Sequence, residues 1–316
     1  GIATHVPEWK IENCIQCNQC AFVCPHAAIR PYLLDEKQKA DAPEGFDTLK
    51  AVGKGLEGLE YRIQVSPYDC TGCGNCVDVC PGKKAQKALE MKSFEEMKDS
   101  YAPLFEYAND KVGYRDDILE RTSVKGSQFM QPLLEFSGAC AGCGETPYAK
   151  LITQLFGDRM YIANATGCSS IWGNSSPSTP YTVKDNGKGP AWSNSLFEDN
   201  AEFGFGMSLA HDAMRQGLKS KVEKLMTEDV SEEVKEACRN YLDTFLVGAE
   251  NGAASEKLVK AISGIDNPLV KDLLENQDML AKKSQWIFGG DGWAYDIGFG
   301  GLDHVIASGR DVNIFV

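Results

Sequence analysis

The order of apolar and polar positions divides the chain into regions of different character. Over residues 83–99 the apolar positions Ala85, Ala88, Leu89, Met91, Phe94 and Met97 recur among Lys, Glu and Asp at helical spacing, which predicts an amphipathic helix. Residues 100–135 show little periodicity and carry Pro103, Gly113, Gly126 and Pro132, which predicts a long linker. From Glu135 onward, Gly-rich turns separate short apolar runs. Tyr161-Ile162-Ala163 and Trp286-Ile287-Phe288 read as buried strands that each run into a turn, and Asp311–Val316 reads as another. Helical patterns lie at Pro147–Phe156, Ala201–Gln216, Glu232–Val247 and Glu256–Ile262, with a further one from about Asp296 to Ala307. Strands alternating with helices predict an α/β sheet. Residues 219–283 are highly charged and helical, the pattern of a solvated helical excursion. Three regions result: 1–99, a linker over 100–135, and 136–316.

The chain has 316 residues, a length for about two domains, and a hydrophobic fraction of 43%, ample for packed cores. Its net charge of −13 argues against non-specific nucleic-acid binding and against an anionic membrane surface. No stretch approaches the roughly 20 apolar residues of a membrane span. The opening Gly1–His5 has neither a basic nor an apolar leader pattern, and the cytoplasm is the expected location. There is no initiator Met, and the final apolar strand stops without a turn. A piece of a longer polypeptide is therefore expected.

Twelve cysteines change the picture. Eight fall into two identical runs, Cys14-x-x-Cys17-x-x-Cys20-x-x-x-Cys24-Pro25 and Cys70-x-x-Cys73-x-x-Cys76-x-x-x-Cys80-Pro81. Such spacing lets three thiolates converge on one cuboidal cluster, and the Pro after the fourth Cys turns the chain away. In two-cluster bacterial ferredoxins the fourth Cys of this run ligates the other cluster. On that pattern Cys14, Cys17, Cys20 and Cys80 hold one [4Fe–4S] cluster, and Cys70, Cys73, Cys76 and Cys24 hold a second. A pair of zinc sites is the competing reading, but zinc usually takes two separated C-x-x-C halves. The insert between Cys24 and Cys70 receives no chemistry, and His26 reads as a surface histidine.

A second kind of site is Ser137-Gly138-Ala139-Cys140-Ala141-Gly142-Cys143-Gly144-Glu145, where small residues let backbone amides approach a bound inorganic group. A third thiol, Cys168, follows a predicted strand. Three thiolates do not close a tetrahedral site. Cys238 lies in a charged helix and reads as an inert thiol. Taken alone, Cys140 and Cys143 fit a redox dithiol or half a zinc site equally well. Finally, Gly289-Gly290-Asp291-Gly292-Trp293 follows a strand and precedes a helix. A lone carboxylate there suits Mg²⁺ beside a diphosphate, and a tight turn without ligand is the alternative.

Ser137–Glu145, Ala163–Trp172, Gly189–Gly204 and Gly289–Gly301, together with the doubled cysteine run, closely resemble the pyruvate:ferredoxin (flavodoxin) oxidoreductase family in its single-chain form. The resemblance implies an α+β ferredoxin-like 2[4Fe–4S] module followed by an α/β thiamine-diphosphate-binding domain with a mainly parallel, C-terminally incomplete sheet. It implies oxidative decarboxylation of pyruvate with coenzyme A to acetyl-CoA and CO₂, with electrons leaving through three [4Fe–4S] clusters to ferredoxin or flavodoxin. Cys140, Cys143 and Cys168 would hold the third cluster. Asp291 would bind Mg²⁺, with Gly290, Gly292 and Trp293 around the diphosphate, and Glu145 and Cys168 would contact the thiamine cofactor. A homodimer is implied as well. The family's fourth ligand of the third cluster, its aminopyrimidine-activating Glu and its pyruvate-binding Arg have no counterpart here. The segment alone is therefore expected to be inactive, with a labile third cluster and its catalytic residues in the rest of the polypeptide. The alternatives are the same chemistry on another 2-oxoacid, or a non-enzymatic iron–sulfur electron carrier.

Overall fold

A computed structural model describes residues 1–175 and 178–316. They form two compact units, Gly1–Asp158 with Ile171–Pro190, and Arg159–Ser170 with Ala191–Val316.

The first unit repeats one pattern. β1 (His5–Trp9) leads into the first cysteine run, the short helix α1 (Gln19–Phe22) and β2 (Ile29–Leu34). Then come α2 (Glu36–Ala40) and β3 (Leu49–Lys50). β4 (Glu60–Val65) leads into the second run, α3 (Asn75–Asp78) and β5 (Leu89–Ser93). The two copies interlock antiparallel. β1 pairs with β5, Trp9 opposite Leu89, and β2 pairs with β4, Ile29 opposite Val65. β2 is buried at all six positions, and Ile29, Leu33, Tyr61, Ile63 and Val65 form a core beneath both runs. Each such side chain contributes about 1.5–3 kcal/mol by leaving water.

The helix expected over 83–99 is not found. Leu89-Glu90-Met91-Lys92 also alternates with period two, and as β5 it satisfies the backbone edge of β1 while burying Leu89. Helix α4 (Phe94–Tyr107) starts only after it and runs into the segment read as linker, with Pro103 inside it. The rest of that segment is packed rather than loose. It holds α5 (Val124–Ser127), and Phe129, Met130, Leu133 and Leu134 are buried. Helix α6 (Thr146–Phe156) completes the regular structure of this unit.

The second unit carries β6 (Met160–Asn164), α7 (Cys168–Ser170), β7 (Ala191–Asn194) and the long α8 (Asn200–Leu225). Then follow α9 (Glu232–Asp243), α10 (Gly248–Ile262) and α11 (Pro268–Glu275). β8 (Ser284–Phe288), α12 (Phe299–Ala307) and β9 (Asn313–Phe315) complete it. The sheet is parallel throughout, in the order β7-β6-β8-β9, which bears out the expected α/β region. A Cβ at Gly204 would lie 2.5 Å from Ile287 Cγ1, so the glycine sets how closely α8 lies on the sheet. The charged excursion is more than a solvated face. The C-terminal half of α8 and helices α9 to α11 share a core of Leu218, Val222, Tyr241, Leu258 and Leu273, in which Cys238 is fully buried. β9, expected to be buried, is half-exposed and, among the described residues, pairs only with β8. Among the described residues no helix is long and apolar enough to cross a membrane.

Candidate functional site

The interlocked strands bring the eight run cysteines to two places. Cys14, Cys17, Cys20 and Cys80 line one cavity, beside Trp9, Asn18 and Tyr61. Cys70, Cys73, Cys76 and Cys24 line the other, beside His26, Ile29 and Met91. The exchange of the fourth thiol follows from the pairing. β2, which follows Cys24, lies against β4, which feeds the second run; β5, which follows Cys80, lies against β1, which feeds the first.

All eight thiols are free. Among the described residues no three His, Cys, Asp or Glu side chains meet at a single-ion position. A zinc ion needs its sulfurs about 2.3 Å from one point. Four thiols lining one cavity suit a cluster that presents an iron at each corner. Burial raises the Cys20 thiol well above its usual range and pushes Cys70 up to about 11. Without a metal these thiols therefore stay protonated, and a bound metal would supply the drive to ionise them.

The two run loops share a backbone. Gln16 (φ 59°) and Asn18 (φ 62°) in the first match Gly72 (φ 72°) and Gly74 (φ 82°) in the second. The amides of Gln16 and Gly72 each donate to the sulfur two residues earlier, at 3.4 Å. Left-handed backbone suits glycine but costs about 1 kcal/mol or more elsewhere. Gln16 and Asn18 are held there by their side chains. Gln16 Nε2 donates to Lys50 O and its Oε1 accepts from Val52 N, both at 2.8 Å. Asn18 Nδ2 donates to Lys125 O at 2.8 Å, and its Oδ1 accepts from Tyr61 Oη at 2.7 Å. The insert, to which the sequence assigned no chemistry, is thus a strap on the first loop. No spacing signal marks it.

His26 is not a surface residue. Only 2% of it is exposed, its Nδ1 lies 3.1 Å from Ser137 O, and its carbonyl accepts from Phe136 N at 2.9 Å. Burial lowers its pKa. These bonds tie the Cys140-x-x-Cys143 loop to the residues after Cys24. A Cβ at Gly142 would lie 3.6 Å from Cys73 Cβ, so the loop runs along the second cavity. Cys140 is exposed and Cys143 half-buried. Glu145 accepts from Trp172 Nε1 at 3.2 Å at the start of α6.

In the second unit the carboxyl ends of β6 and β8 are neighbours. Cys168 opens α7 just beyond β6, and Asp291 opens a helical turn just beyond β8; both are exposed. Asn200 Nδ2 ties the strand ends, donating to Phe288 O at 2.8 Å and Ala163 O at 3.4 Å. Asn194 Oδ1 and Asn200 Oδ1 are buried there without a partner among the described residues. A Cβ at Gly290 or Gly292 would meet nothing within 4 Å, so both face open space. The Trp293 ring is packed with Ala165, Ala201, Ile287 and Leu302, and its Nε1 has no partner among the described residues. A cavity of about 490 Å³ opens at the opposite, amino end of the sheet, where the charges pair off as Lys282–Asp311 and Arg310–Asp212.

Residues 13–102, which contain both cysteine runs from Cys14 to Cys80, match the 4Fe-4S double cluster binding domain family. The whole chain aligns with the pyruvate:ferredoxin oxidoreductase of Moorella thermoacetica at 55% identity and with the pyruvate-flavodoxin oxidoreductase of Klebsiella pneumoniae at 54%, covering 27% of each. It aligns at 48% with the mitochondrial pyruvate dehydrogenase [NADP(+)] of Euglena gracilis, covering 17% of it. Over its entire length the chain resembles a segment of the pyruvate:ferredoxin and pyruvate-flavodoxin oxidoreductases. It spans about a quarter of the length of those curated relatives.

Proposed function

We propose that the chain is the electron-transfer and thiamine-binding portion of an enzyme that oxidatively decarboxylates pyruvate with coenzyme A. The observation that carries this reading is the pair of cavities, each walled by four free thiols drawn from both halves of the first unit. Cys14, Cys17, Cys20 and Cys80 would hold one [4Fe–4S] cluster; Cys70, Cys73, Cys76 and Cys24 a second. Cys140 and Cys143 would contribute to a third. Trp9, Tyr61, Ile29 and Val65 wall the two ferredoxin-type sites against water, which favours electron passage over side reactions with solvent.

Thiamine diphosphate, when bound, supplies the carbanion chemistry. Asp291 offers the carboxylate for its Mg²⁺, and the unpartnered Oδ1 atoms of Asn194 and Asn200 and the open faces of Gly290 and Gly292 suit a polar group at the strand ends. Cys168, just beyond β6 in the same unit, would contact the cofactor. Ferredoxin or flavodoxin as acceptor and a homodimeric assembly complete the reading. A second acceptor class, NADP⁺, is favoured by the relative from Euglena gracilis, whose name carries it.

The test is iron, zinc and sulfide content of the anaerobically purified chain, with EPR after dithionite reduction. About eight irons and two magnetically coupled signals are expected. Zinc in place of iron at the run cysteines overturns the reading.

A further inference from the structure

Lys150 has 2% of its surface exposed and lies in the first unit, on α6, the helix that follows the Cys140-x-x-Cys143 loop. Its ammonium donates to the carbonyl of Ala21, to Phe22 O at 3.3 Å and to Cys24 O at 3.2 Å. These are the last carbonyls of α1 and of the segment that carries Cys20 into one cavity and Cys24 into the other. Three carbonyl acceptors around one nitrogen require three N–H donors, which only the protonated amine has. A cation is thus fixed on the backbone of the segment that links Cys20 to Cys24. Among the described residues its partners are these three carbonyls and no carboxylate. The neighbouring Arg30 is already committed to Glu135.

An isolated buried ammonium is costly unless something nearby is negative. A cluster held by four thiolates is a net anion and gains one further negative charge on reduction. We propose that Lys150 is a positioning residue that serves as the built-in counter-charge of both ferredoxin-type clusters, favouring their reduced forms, most strongly at the cluster held by Cys24. The inference rests on the cluster reading above. It adds a function for a residue whose place on an amphipathic helix suggests only solvation. No bond is made or broken; the step is the uptake of one electron per cluster, supplied by the reductant in the test.

The experiment is an anaerobic EPR redox titration of the chain carrying Lys150→Gln, which keeps a donor for the carbonyls and removes the charge, beside Lys150→Arg, which keeps the charge. The Gln variant is expected to retain about eight irons, and its reduction equilibrium constant to fall at least tenfold at the cluster of Cys24, about 59 mV for one electron. The Arg variant is expected to stay within threefold of the parent. Unchanged potentials in an eight-iron Gln variant overturn the inference and leave the cluster reading standing; a parent chain without iron overturns the cluster reading itself. If the Gln variant loses iron, the Arg variant decides. Eight irons and parental potentials support the inference, a tenfold fall despite the charge overturns it, and iron loss from both variants assigns Lys150 a purely structural role and overturns it too.

Discussion

Gln16 and Gly72 occupy the same position of the two cysteine loops, with the same left-handed backbone and the same amide-to-sulfur hydrogen bond, at 3.4 Å in each. One loop reaches that conformation through a glycine and the other through a side chain strapped to the insert. The two solutions fail differently. Gly72→Ala is expected to cost about 1–3 kcal/mol, because its Cβ would lie 3.0 Å from His5 O and its φ is unfavourable. Gln16→Ala keeps the unfavourable φ and leaves Lys50 O and Val52 N unpartnered, at a cost of about 2–4 kcal/mol. Thermal unfolding of the anaerobic holoprotein checks both, and an unchanged midpoint in Gln16→Ala would contradict the strap.

The crosswise walls make a selective prediction. Cys24→Ser is expected to alter the EPR signal also altered by Cys73→Ser, and Cys80→Ser the one altered by Cys17→Ser, although each partner lies in the other run. If Cys24→Ser instead shares the signature of Cys17→Ser, each run holds its own cluster.

His211, on α8, sets a dependence on acid in the second unit. Burial first, then the charges of Arg215 and Lys283, push its pKa down to about 4. The unfolded chain takes up this proton near pH 6.5 while the folded unit does not. Folding stability contributed by neutral His211 is therefore present above about pH 6.5 and lost as pH falls towards 4. Between those limits the loss is about 1.4 kcal/mol for each tenfold rise in proton concentration. His211→Gln is expected to flatten this part of the stability–pH curve relative to the parent; a parallel curve would show that other groups carry it.

Asp291 is the one carboxylate of its Gly-rich turn and faces solvent beyond β8. Asp291→Asn is expected to weaken Mg²⁺-dependent thiamine diphosphate binding at least tenfold, with iron content unchanged. Calorimetric titration with and without Mg²⁺ checks this, and equal affinity in the variant would remove Asp291 from the site.

The cysteine spacing made the two four-thiol groupings legible, because runs set on interlocked strand pairs exchange their last member. β6 and β8 were legible as apolar runs short enough to be strands and bounded by glycine. Leu89–Ser93 misled because Leu-Glu-Met-Lys satisfies both periods, and only the distant edge of β1 decides between them. Gln16, Asn18, His26 and Lys150 carried no signal. Each acts through bonds to backbone far away in the sequence: Gln16 to Lys50 and Val52, His26 to Ser137, Lys150 to Ala21. Periodicity reads a residue's neighbours along the chain and is blind to such partners.

The interlocking of the two strand pairs also sets an order of events on the growing chain. The first four-thiol wall has three of its members by residue 20, yet lacks the fourth until residue 80 is made. Cys24 in turn has no companions until the second run has been synthesised. Neither wall can close early, and both become complete within a few residues of each other. A cluster that needs all four thiols of a wall would therefore be taken up late, after both halves have been made and paired.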